Sequence, residues 1–148
     1  MDTDYLASLI ERKHQALLRL QGLAERQLRT VGEGDLGPLL GLLAAKQQVL
    51  NDLQAVESAL VPFRQQDPES RRWRSPGERE RVRSLAEQCE LVLRDIVQLE
   101  ARSEQELAQR RDTAAARLQG THNALLARRA YVGSLAKSGG QLDVSSDT

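Results

Sequence analysis

The sequence predicts an all-α protein: an antiparallel helical hairpin followed by a long third helix, together an elongated three-helix bundle of coiled-coil type. Three observations carry this. Ala, Leu, Gln, Glu and Arg dominate the chain, all of them helix-favouring, while β-branched residues are sparse. Apolar residues recur at spacings of three and four, as a helical seam requires. Breaks in that pattern fall at two places, GEGD at residues 32–35 and a Pro/Arg/Trp segment between Pro62 and Pro76. Aromatic residues make up only 3% of the chain, which favours thin helix-on-helix packing over a thick core.

The first helix is expected over residues 3–32. Asp2 and Thr3 can cap it, and its apolar stripe runs through Leu6, Leu9, Ile10, Ala16, Leu17, Leu20, Leu23, Ala24, Leu28 and Val31. Lys13 and Gln27 interrupt the stripe, and their long stems can be buried with the polar heads left wet. GEGD is so short a connection that the next helix must return antiparallel to the first.

The second helix, over residues 36–64, is the element around which the others are organised. Asp35 is the expected N-cap, with Pro38 in the first turn, where its missing N–H costs nothing. Leu36, Leu39, Leu40, Leu43, Leu50, Leu53 and Leu60 are read as one face, and Gln48, Asn51, Asp52 and Ser58 as its opposite. Pro62 disfavours helical geometry at Val61 and should stop or kink the helix between there and Arg64. In the connection that follows, Asp67-Pro68-Glu69 can form a single helical turn. Trp73 is expected to fold back on the end of the helices with its N–H near the surface.

Ser75-Pro76-Gly77-Glu78 is a capping box that opens the third helix, expected over residues 76–137. Val82, Leu85, Cys89, Val92, Ile96, Leu99 and Ser103 form its seam. Beyond Ser103 the seam weakens into Leu107, Ala114, Ala115, Leu118, Leu125 and Leu126. No proline interrupts it, so the helix should span about 90 Å, roughly twice either hairpin helix, with Gly120 the one candidate hinge. Residues 1–137 form a single domain on this reading, and 138–148 a disordered tail. Leu17, Leu43, Leu50, Val92 and Ile96 are expected in the core. The second half of the third helix, about 107–135, has no helix within the chain to cover it, which points to a second chain.

The 21 basic and 21 acidic residues balance, so no bulk field points to nucleic acid or to an anionic membrane. No apolar run is long enough for a membrane span, and the N-terminus lacks a signal-peptide profile; a soluble, cytosolic, bacterial protein is expected. Cys89 is the only cysteine and sits on the seam, where an inert buried thiol is expected. His14 and His122 fall on different helices and read as structural. No metal-ligand cluster, phosphate loop or nucleophile elbow is present, so the chain reads as a non-enzyme without metal, cofactor or small-molecule substrate. Arg71, Arg72, Arg74, Arg79, Arg81 and Arg83 surround Trp73, but Asp67, Glu69, Glu78 and Glu80 interleave with them, which weighs against nucleic acid.

The N-terminal 65 residues resemble the FlgN-like flagellar export chaperones. The resemblance rests on Leu6-x-x-Leu9 and Leu17, on GDL at Gly34 to Leu36, and on LLAAKQQVLNDLQAVE from Leu42 to Glu57. Lys46, followed by Val49, Leu50 and Leu53, occupies the position of that family's Lys and paired apolar residues. The Pro/Arg/Trp connection does not belong to the family pattern. The resemblance implies a cytoplasmic type III secretion chaperone. It would hold the helical C-terminal segment of hook-associated clients, prevent their premature assembly and deliver them to the export apparatus. The client face would be Leu107, Ala114, Leu118, Leu125 and Leu126, with Tyr131 in the rough position of a tyrosine that docks at the export gate. The alternatives are a structural coiled coil or adaptor, such as a homodimer burying the same stripe, and a nucleic-acid-associated helical protein.

Overall fold

The computed structural model describes residues 2–146, with side chains described through Lys137. It contains three α-helices, α1 (Thr3–Glu33), α2 (Leu39–Arg64) and α3 (Pro76–Ser146), and a 3-10 turn at Pro68–Ser70; there is no strand among the described residues. The chain divides into two units, Met1–Glu106 and Leu107–Thr148.

Within the first unit, ion pairs and hydrogen bonds fix the helix directions. Lys13 pairs with Glu57, Arg12 with Asp52, and Gln27 accepts from Lys46, so α1 and α2 run antiparallel. Asp4 pairs with Arg74, Glu11 with Arg81, and Gln21 donates to Asp95, so α3 up to Glu106 runs parallel to α1. The result is an up-down-up bundle.

The caps show why each helix begins and ends where it does. Asp2 accepts from the Asp4 N–H at 2.8 Å and caps α1. Gly34 ends it in the left-handed region, φ 78°, where a Cβ would be strained, and its N–H reaches the Val31 carbonyl. Asp35, the expected N-cap of α2, does not cap it. Its carboxylate takes the Gly37 N–H at 3.1 Å and closes a separate turn through Pro38, so the helix starts at Leu39 instead of Leu36. Pro62 is accommodated inside α2, which continues to Arg64. There Arg71 donates to the Phe63 carbonyl at 2.7 Å, satisfying one of the acceptors a helix end leaves open. Ser75 caps α3 through the Glu78 N–H at 3.1 Å, but Glu78 turns to Arg81 and does not complete the box. α3 passes unbroken through Gly120 and reaches Ser146, nine residues beyond the end expected at Lys137. Asp147 and Thr148 of the expected tail lie outside the described residues.

The core forms two clusters. Ala16, Leu17, Leu20, Val49, Cys89 and Ile96 meet from all three helices. Leu6, Leu9, Val56, Leu60 and Phe63 form the second, against which Trp73 packs, and Tyr5 stacks obliquely on Phe63 at 5.9 Å. The seam of α3 follows the sequence reading, since Val82, Cys89, Ile96, Leu99 and Ser103 are buried and Leu85 and Val92 half-buried.

The inward face of α2 keeps Leu39, Leu53 and Leu60 of the expected one and differs in the rest. Its inward line is Leu39, Leu42, Lys46, Val49, Leu53, Val56, Leu60 and Phe63, in unbroken alternation of three and four, with Val49, Val56, Leu60 and Phe63 buried and the other four half-buried. Leu40, Leu43 and Leu50, grouped with it from sequence, are 80%, 42% and 44% exposed. They occupy the adjacent line, and the true seam is disguised by the lysine within it.

That lysine belongs to a polar layer built from one residue of each helix. Lys46 donates to Gln27 at 2.7 Å and pairs with Glu100 at 2.5 Å, with the buried Ser103 close in sequence on α3. Lys13, the other polar interruption of α1, meets Glu57 at 2.8 Å, and Glu57 also pairs with Arg64. An off-register packing of the helices would strand these charges away from their partners.

Candidate functional site

The residues singled out as a partner face lie in the second unit, on α3 from Leu107 onward. Leu107 is half-buried, and every side chain from Gln109 to Lys137 is exposed. Leu118 is 72% exposed, Leu125 and Leu126 each 48%, and Val132 and Leu135 are similarly open. At ~3.6 residues per turn, Leu107, Ala114, Leu118, Leu125 and Val132 fall within roughly 20° of one line along the helix. Leu126 stands about 100° from that line, so it is not on the same face, and Val132 takes its place. Tyr131 is exposed and lies about 120° from the line, on a separate face.

Arginines border this apolar line. Arg111 and Arg129 lie roughly 40° to one side, and Arg110, Arg117 and Arg128 roughly 60–80° to the other. Between Leu107 and Lys137 there are six basic residues and a single acid, Asp112, which sits toward the back of the helix. Arg111 pairs with Asp112 at 3.4 Å, while Arg117, Arg128 and Arg129 have no ion pair among the described residues. The sequence reading missed this because the charges cancel over the whole chain. Counting over this one segment reveals it.

The Arg/Trp connection is engaged inside the first unit. Arg71 holds the end of α2, Arg74 pairs with Asp4 at 2.6 Å, and Arg81 bridges Glu11 and Glu78, which holds the Glu78 carboxyl below its usual range. Thr3 donates to the Arg72 carbonyl at 2.8 Å. A recess of about 270 Å³ remains between Leu6, Ile10, Trp73, Val82 and Ala86, just below the ~300–1,000 Å³ usual for small-molecule sites.

Other reactive groups are dispersed. Cys89 is buried, and that burial pushes its thiol pKa up and away from the reactive thiolate. His14 is half-buried on α1 and His122 exposed on α3. Among the described residues no group of three or more His, Cys, Asp or Glu is placed to hold a metal ion, and no helix is long and apolar enough to cross a membrane. Comparison with protein-family models, with curated proteins and with solved structures finds no match.

Proposed function

We propose that the protein is a secretion chaperone of the flagellar type, which holds an amphipathic helical segment of a hook-associated export client against α3. The observation that carries this reading is the exposed apolar line Ala114, Leu118, Leu125 and Val132, which continues from the half-buried Leu107 and which no described side chain covers. An amphipathic helix gains most of its stability from a covered stripe, so a helix of this kind is completed by a partner. The small side chain of Ala114 lets a partner backbone approach closely. The FlgN-like pattern around Lys46 supplies the client class. Lys46 itself is committed to Gln27 and Glu100 inside the bundle, where it serves the fold. Arg71, Arg74 and Arg81 around Trp73 are tied to carboxylates and backbone, which weighs against a nucleic-acid role for that segment. Tyr131, exposed on its own face, remains open for docking at the export gate.

The test is calorimetric titration of the full chain with the C-terminal segment of a hook-associated protein from the same genome. Wild type should bind. Replacing Leu118 and Leu125 together by Glu should abolish binding and leave the urea midpoint of the first unit unchanged, because only exposed side chains are altered. Binding unaffected by the double substitution would move the site elsewhere. No binding to any hook-associated segment would favour the structural coiled coil.

A further inference from the structure

We infer that the partner of this α3 face is an acidic amphipathic helix and that a second copy of the same face is excluded; the inference deepens the proposed partner-binding role of α3. It is carried by the arginines, independently of the client's name. Arg110 and Arg111 lie near one end of the apolar line, and Arg128 and Arg129 near the other, with Arg117 between. The two arginine pairs are about 18 residues apart, so at ~1.5 Å rise per residue they stand about 27 Å from each other along the helix.

Self-association fails in either direction. Two copies paired parallel and in register set each arginine beside its own counterpart. Two copies paired antiparallel about the midpoint near Gly120 set Arg110 and Arg111 opposite Arg128 and Arg129. Both arrangements bring like charges together at the flanks of an apolar seam, where charge pairing selects partners. A partner with Asp or Glu at two places about 18 residues apart, flanking its own apolar stripe, sets acidic side chains beside both arginine pairs and covers the leucines at once.

The same geometry separates this partner from other anionic surfaces. Leu118 and Leu125 run between the two rows of arginines, and phosphates drawn to those arginines bring no apolar surface to cover the leucines. The apolar line is also one side chain wide and lacks Trp and Phe, unlike the broad face of a helix that lies in a membrane surface.

The experiment uses the full chain and two synthetic helical peptides with the same leucine stripe. One carries Glu pairs about 18 residues apart at its flanks, and the other carries Lys at those positions. Fluorescence anisotropy should show the Glu peptide binding on the order of tenfold or more tighter than the Lys peptide, with affinity falling as salt rises. The Arg111→Glu/Arg129→Glu variant should reverse the preference. Sedimentation of the free protein should give a monomer. Equal binding of both peptides, no effect of the charge swap, a dimer broken by Leu118→Glu, or tighter binding to an RNA oligonucleotide or to phosphatidylserine vesicles would each overturn the inference. The two readings fail separately. A hook-associated segment that binds with no dependence on salt or on the charge swap sinks the acidic-helix inference alone. A Glu peptide that binds while every hook-associated segment does not sinks the flagellar reading alone.

Discussion

At the scale of single residues, the polar interruptions of the apolar stripes are where this chain specifies itself. Lys13 and Gln27 were legible in sequence as exceptions, but their partners were not. Glu57 and Lys46 stand 44 and 19 positions away, and only the antiparallel return of α2 brings them close. Glu57 also makes a prediction about pH. Burial pushes its carboxyl up, but the hydrogen bonds and charges of Lys13 and Arg64 outweigh that and hold it below its ordinary value of 4.5. A depressed carboxylate stabilises the fold above its unfolded pKa, and the contribution is lost as pH falls through the folded value. Urea midpoints should therefore drop between about pH 4.5 and lower values in wild type. In Glu57→Gln that part of the drop should be absent, and the midpoint at neutral pH should be lower. Identical acid limbs in the two proteins would show that the Lys13–Glu57 pair contributes nothing.

At the scale of elements, the sequence revealed helices and caps better than it revealed faces. The breaks at Gly34 and between Arg64 and Ser75 were readable because Gly, Pro and a capping Ser restrict the backbone locally. The seam of α3 was readable because its apolar residues keep the heptad spacing. The seam of α2 was not, since the helix carries leucine on two adjacent lines and a lysine on the true one. Weighing residue type above spacing selects Leu43 and Leu50; spacing alone selects Val49 and Val56 and keeps Leu39, Leu53 and Leu60, which both readings share. The distinction is measurable. Leu60→Ala removes a buried side chain and should cost about 2–5 kcal/mol. Leu50→Ala touches an exposed one and should stay within about 0.5 kcal/mol. Comparable losses in denaturant midpoint for both would reverse the face assignment. On α3 the helical repeat sets Leu118, Leu125 and Val132 near one line and turns Leu126 about 100° from it.

At the scale of the whole molecule, two kinds of helix share one chain. In Met1–Glu106 the helices are held by buried seams from three directions. From Gln109 to Lys137 no side chain is buried, so the helix there rests on backbone hydrogen bonds and local propensity. Backbone hydrogen bonds without covering side chains open locally at low free energy, whereas those under a core open only with global unfolding. Hydrogen exchange read by mass spectrometry should therefore change character along α3. Amides from Val82 to Ser103 should be protected for as long as the bundle survives, and those from Gln109 to Lys137 should exchange early in dilute protein. Adding a partner that covers the apolar line should slow exchange around Leu118 and Leu125 while leaving Val82 to Ser103 unchanged, because an ordering partner contributes only where it binds. If the free, dilute protein instead protects residues 109–137 as strongly as its core, the face is already covered by another copy. The structural coiled coil would then replace the chaperone.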